Sequence, residues 1–271
     1  MNQNASEKTS ERVSSFKKER FHLLDTIRGV AVTGMVFFHV VFDLPDFFTV
    51  DVSFVNSNFS QIMEQVVRIV FIFLSGYCCL LGHRPLKRGL TVSAAGLLVT
   101  IVSIIAKVDP PIIFGVLTLI GTCMLLSIPF RKIQKKEHFC VLCFVSLTLF
   151  ILTLHIAHGY FGPLFKPLIS FPEFLYSAKN PFLSAFTAFF GFPGQSFDSS
   201  DYFPLMPWFF LFMSGFGLYG WLGEKINKLP VMKLRVEPFT FLGKNALWVY
   251  LLHQPLVIGI LWGILLLLKL F

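Results

Sequence analysis

Apolar runs of about 18 residues or more recur along this chain, and runs of that length and composition read as membrane-spanning helices. Seven spans are predicted, at 26–44, 66–82, 90–106, 112–130, 139–158, 203–222 and 241–268. The last is long for a single crossing, which predicts tilt or a break near Pro255. Between the fifth and sixth spans lies a stretch rich in Phe, Pro and Gly. Its apolar piece at 182–193 is too short to cross a core of about 30 Å, and is expected to lie at the interface or re-enter. The expected fold is therefore all-α: a polytopic membrane helical bundle of about seven transmembrane helices at 23–271, after a disordered cytoplasmic tail at 1–22. Composition excludes a soluble domain. Only 14% of residues are charged and 55% are hydrophobic, where soluble chains carry about a quarter charged residues.

The formal net charge of +8 is a question of place. With the N-terminus inside, all of the 23 Lys and Arg fall in cytoplasmic segments or at the inner end of the first span, except Arg68, Lys107, Lys166, Lys179 and Lys269. Asp43, Asp46, Asp51, Glu64, Asp109, Glu173, Asp198 and Asp201 gather on the opposite face. That is the positive-inside pattern, so the charge reports topology and no nucleic-acid partner is expected. A basic cytoplasmic face also favours a phosphate-bearing cytosolic ligand. The five cysteines lie in or beside apolar runs, where Cys acts as a small hydrophobe. Cys140-x-x-Cys143 has no second Cys/His pair beside it, and no metal site is expected.

The first span carries ionisable residues, which are costly at membrane depth and point to function. Asp25 or Thr26 can cap the helix, and Asp25 stands three residues before Arg28, within reach of an ion pair. His39 follows Arg28 by eleven residues, close to three full turns, so the two share a face about 16 Å apart along the axis. Asp43 comes one turn later on nearly the same face. An imidazole there can take a proton from an attacking hydroxyl or amine, oriented by Asp43, or accept an acyl group itself. Arg28 suits a phosphate-bearing donor at the cytosolic end, and the spacing suits an extended donor such as coenzyme A. Each residue also has a structural reading: Arg28 as a snorkelling anchor, His39 as an interhelical hydrogen bond, Asp43 as an interfacial acid.

Other residues extend this set. His253 and Gln254 lie in the final span at a depth similar to His39, as a second wall of the same cavity. Arg68 stands at the outer start of the second span, placed to neutralise Asp43 or hold an anionic acceptor. Asp201 and Trp208 open the sixth span on the outer side, facing an acceptor. Lys87 and Arg88 are cytosolic and placed to meet donor phosphates. Gly215, Gly217 and Gly220 match a dinucleotide-binding pattern in letters only; inside a membrane helix they read as packing residues.

Arg28-x10-His39 resembles the Arg-x10-His motif of bacterial acyltransferase-3-type membrane enzymes. The string LDTIRGVAVTGMVFFHVVFDL resembles more closely the bacterial relatives of the heparan-α-glucosaminide N-acetyltransferase catalytic domain. FIFLSGYCCLLG (71–82), KRG (87–89), IIFGVLTLIG (112–121), DYFPLMPWF (201–209) and LGKNALWVYLLHQP (242–255) agree in order. The resemblance implies an acetyltransferase in a bacterial cell membrane. It implies acetyl-CoA as co-substrate, no bound cofactor, and a sugar or envelope glycan as acceptor beyond the membrane. It also implies His39 as the catalytic residue and Arg28 as a donor-side binder. Self-association stays open. The alternative from the residues alone is a transporter of a small anionic or lipid-linked substrate, with the polar line as its path.

Overall fold

The computed structural model describes residues 21–48, 57–163 and 167–268. Residues 1–20 of the tail expected at 1–22, and Asp51, Lys166 and Lys269 of the charge argument, lie outside these, while His22 already belongs to the first helix. Among the described residues, six helices are long and apolar enough to cross a membrane. They are α1 (His22–Phe47), α2 (Asn58–Cys79), α3 (Pro85–Ile105), α5 (Lys136–Thr153), α7 (Leu205–Ile226) and α9 (Ala246–Leu268). Three shorter helices complete the set: α4 (Val116–Leu126), α6 (Pro181–Phe190) and α8 (Phe239–Lys244). A two-residue antiparallel pair, β1 (Tyr160–Phe161) with β2 (Ile169–Ser170), is the sheet among the described residues. Leu97, Ile105, Val141, Trp248 and Leu267 are exposed on the long helices, as expected of faces that meet lipid rather than water. The chain is an all-α, multi-pass membrane protein.

Helix direction shows how the short α4 counts. Glycines mark the crossings, because each lets a backbone approach that a Cβ would block. A Cβ on Gly29 would lie 1.9 Å from the Phe239 carbonyl oxygen, and one on Gly243 would lie 1.7 Å from that of Asp25. Further along, His39 meets His253 and Asp43 meets Gln254, so α1 runs parallel to α8 and α9. In the same way α2 runs parallel to α7: Arg68 lies over Phe203, Gly76 abuts Phe212, and Tyr77 packs on Tyr219. First and last helices that point the same way require an odd number of passes, and the six long helices need one more. Helix α4 supplies it. It runs antiparallel to α3, with Gly96 against Thr118 and Gly89 against Leu125. Just before it, Phe114 accepts from the Phe203 N–H (2.9 Å). Just after it, Ser127 meets Cys79 (3.5 Å), and Arg131 donates to the carbonyls of Cys79 (3.0 Å) and Gly82 (2.9 Å).

Several expected boundaries move. The predicted span at 112–130 is helical only over Val116–Leu126, because Phe114 is left-handed (φ 58°), Gly115 is extended, and Pro129 opens a 3-10 turn. Helix α1 begins at His22, so Asp25 and Thr26 sit inside its first turn rather than at its cap. The Thr26 hydroxyl is used on the His22 carbonyl (3.0 Å) and on Thr240 (2.8 Å). In the last span the break falls at Asn245, while Pro255 lies within α9. The core is built from α2, α4 and α7, with Ile72, Cys123, Phe212 and Phe216 fully enclosed.

Candidate functional site

Two polar clusters occupy opposite ends of α1. At its beginning Arg28 pairs with Asp25 (3.3 Å), as the i,i+3 spacing predicts. Arg88 is exposed, and its guanidinium rests on Gly82, with Nη1 1.5 Å from where a Cβ would stand. The charges of both Arg28 and Arg88 bear on the Cys78 thiol near the end of α2. Arg131, bound to the last carbonyls of that helix, joins them. Three guanidinium groups thus gather at a helix C-terminus, whose partial negative charge favours cations. Lys87 is exposed beside them. In the sequence Arg131 reads only as part of a basic loop, because its partners lie about fifty residues away.

At the far end, α1 and α9 face each other across four side chains. The His39 and His253 rings stand 4.9 Å apart, centroid to centroid. One turn on, Gln254 Nε2 donates to Asp43 Oδ2 (2.8 Å). His253 is buried at 8% exposure, while His39, Asp43 and Gln254 are half-buried. The 3.6-residue period puts His39 and Asp43 on one face of α1. The parallel course of α9 brings its own adjacent pair opposite.

A second polar shell adjoins this box. Tyr250, one turn before His253 on the same helix, donates its hydroxyl to Asp201 Oδ2 (3.1 Å). Burial pushes the Asp201 carboxyl above the ordinary Asp range, while the Tyr250 bond, the Arg68 charge and the Val116 N–H oppose that. Arg68 forms an ion pair with Glu64 and lies over the Phe203 ring, 5.5 Å from its centroid. Its charge bears on both His39 and Asp201, which places it beside the box.

The residues singled out in the sequence therefore divide. His39, Asp43, His253, Gln254, Asp201 and Arg68 come together at one end, and Arg28 and Arg88 meet at the other. Trp208 does neither. It is turned into the core at 7% exposure, between Phe150 (5.8 Å) and Phe203 (5.4 Å). Tyr250 was missed by the sequence reading, since nothing local distinguishes it from an interfacial tyrosine. Gly215, Gly217 and Gly220 pack on Phe73, Cys143 and Phe139, respectively.

Comparison with curated proteins and with solved structures finds no match to this chain. The family model described as heparan-alpha-glucosaminide N-acetyltransferase, catalytic, matches residues 20–255. That stretch holds the residues of both polar clusters, and the chain belongs to that family.

Proposed function

We propose that the chain is a membrane acetyltransferase that receives an acyl group from acyl-CoA at the Arg28 end of α1 and delivers it at the His39 end. The observation that carries this reading is the single helix face that joins a cluster of guanidinium groups to a histidine pair over about 16 Å. Arg28, Arg88 and Lys87 suit the phosphates of the donor, since guanidinium groups bind phosphate oxygens in bidentate fashion. The pantetheine arm then follows α1 toward the box, and the thioester lies beside His39. His39 acts on the acyl group or on the attacking nucleophile, and Asp43, fixed by Gln254, orients the imidazole chemistry beside it.

The basic segments favour a cytosolic N-terminus and donor cluster, on the side where acyl-CoA is found. The acceptor then lies on the other side. A hydroxyl or amine of a sugar or an envelope glycan, in a bacterial cell membrane, fits the family and the acidic rim. Detergent- or nanodisc-held protein tests the reading through release of CoA thiol from acetyl-CoA with a panel of amino sugars and glycan fragments. Acceptor-dependent release that is lost in His39→Ala is the expected result. No release, with no binding of CoA, would contradict it and favour a transporter, which moves substrate without consuming a thioester.

A further inference from the structure

Hydrogen-bond chemistry fixes the protonation of His253 more closely than that of His39. Its Nδ1 lies 2.6 Å from the Tyr250 carbonyl oxygen. A carbonyl accepts and cannot donate, so Nδ1 carries the hydrogen and Nε2 of the neutral ring is a bare lone pair. That Nε2 is buried and has no hydrogen-bond partner among the described residues. Gln254 is constrained in the same way. Its Nε2 is assigned by the Asp43 carboxylate, so its Oε1 must be the other end of the amide, and that oxygen is also buried without a partner among the described residues. Two neighbouring residues thus present unmet acceptors. Leaving each one bare costs about 1–3 kcal/mol. Around them Asp43 and Asp201 are acceptors too, and the nearby cation, Arg68, is engaged with Glu64. The His39 ring carries an N–H but makes no hydrogen bond to either atom, and among the described residues no other donor reaches them.

We propose that His253 Nε2 and Gln254 Oε1 form the seat of the acyl acceptor's nucleophile, an O–H or a neutral N–H, and that His253 Nε2 is the base that takes its proton. The proposal rests on the acyltransferase reading and deepens it by naming the atom. As the nucleophile's lone pair forms a bond to the acyl carbonyl carbon, its proton passes to His253 Nε2. The bond from that carbon to its leaving atom then breaks. That atom is the CoA sulfur, or a His39 nitrogen where the acyl group has first moved there. It takes the proton from His253, which returns to its neutral form. Tyr250 serves twice: its carbonyl fixes the tautomer, and its hydroxyl ties the same turn of α9 to Asp201.

The test uses the full chain in nanodiscs, comparing wild type with His253→Gln on two kinds of acceptor. One is the amino sugar or glycan fragment that the wild type accepts. The other is hydroxylamine, which attacks as a neutral molecule and needs little help from a base. His253→Gln is expected to lower transfer to the sugar by about 100-fold or more, with the KM for acetyl-CoA within about twofold, and hydroxylamine is expected to recover most of the loss. A variant within about threefold of wild type on the sugar, or one equally impaired with hydroxylamine, would overturn the assignment while leaving the acyltransferase reading intact. A wild type that releases no thiol with any acceptor would overturn both. Should the variant fail to fold, 15N spectra of histidine-labelled wild type decide: a proton on His253 Nδ1 supports the proposal, and a neutral ring with the proton on Nε2 overturns it.

Discussion

The same pair of parallel helices packs in opposite ways at its two ends. Where α1 begins, it meets α8 backbone to backbone. Gly29 and Gly243 leave no room for a Cβ on either side, and Thr26 and Thr240 share a buried hydrogen bond of 2.8 Å. About 15 Å further on, α1 and α9 are held apart by histidine rings, a carboxylate and an amide, and two buried polar atoms there have no partner among the described residues. A hydrogen bond between membrane helices averages only about 0.6 kcal/mol, so the glycine contact rather than the threonine pair fixes the crossing. The tight end sets the register, and the register places His39 opposite His253. The loose end keeps unmet hydrogen-bonding capacity that a well-packed interface would have removed.

Breaking the tight end should have the largest effect. Gly243→Val places side-chain atoms where the Asp25 carbonyl already lies, and a backbone atom cannot swing aside as a long side chain can. The expected outcome is no monodisperse, folded protein on size exclusion. A folded and active variant would show that the crossing is set elsewhere.

At the donor end, Arg28→Ala combined with Arg88→Ala should raise the KM for acetyl-CoA by roughly 100-fold or more, since bonds to a charged group are worth about 1.5–3 kcal/mol each. The kcat should change little. An equal loss of kcat at unchanged KM would move these arginines from donor binding to helix packing.

A smaller effect is expected from Gln254→Ala, which removes the 2.8 Å bond to Asp43 and one of the two bare acceptors. Transfer should fall by about tenfold and thermal stability by less than about 1 kcal/mol. A large loss of stability with full specific activity would make the box a structural contact. The smallest effect belongs to Gly263→Ala, on the last turns of α9, where a Cβ meets nothing within 4 Å. It should stabilise the helix by a few tenths of a kcal/mol at most and leave activity unchanged.

Much of this contrast was legible in the sequence, and the limits have physical causes. Hydropathy gave the spans because lipid demands long apolar helices, and the eleven-residue spacing put Arg28 and His39 on one face because helical period is local. The Asp25–Arg28 pair follows from the same geometry. Pairings across helices are not local. The sequence puts Gln254 at a depth near that of His39, but its bond to Asp43 depends on the parallel course of α1 and α9, which is set by glycines more than two hundred residues apart. Pro255 looked like the break in the last span. The break falls at Asn245, because α8 is held against α1 at Thr240 and Gly243, while a proline in a membrane helix is readily accommodated. Trp208 looked like an interfacial residue on its position alone, but the aromatic side chains of Phe150 and Phe203 draw it inward. The fourth pass was expected as a full helix. Its ends instead unwind around Phe114 and Pro129, and its contacts at both ends of the bundle let a short helix serve.

Sidedness tests most directly whether one helix face carries the acyl group from one cluster to the other. Protein reconstituted in one orientation, in vesicles with acetyl-CoA outside at the Arg28 face and the acceptor sealed inside, separates the two halves of the reaction. The account predicts acetylated acceptor inside and free CoA thiol outside, both lost in His39→Ala. Product formed only when donor and acceptor share a compartment, or thiol release indifferent to His39, would contradict it.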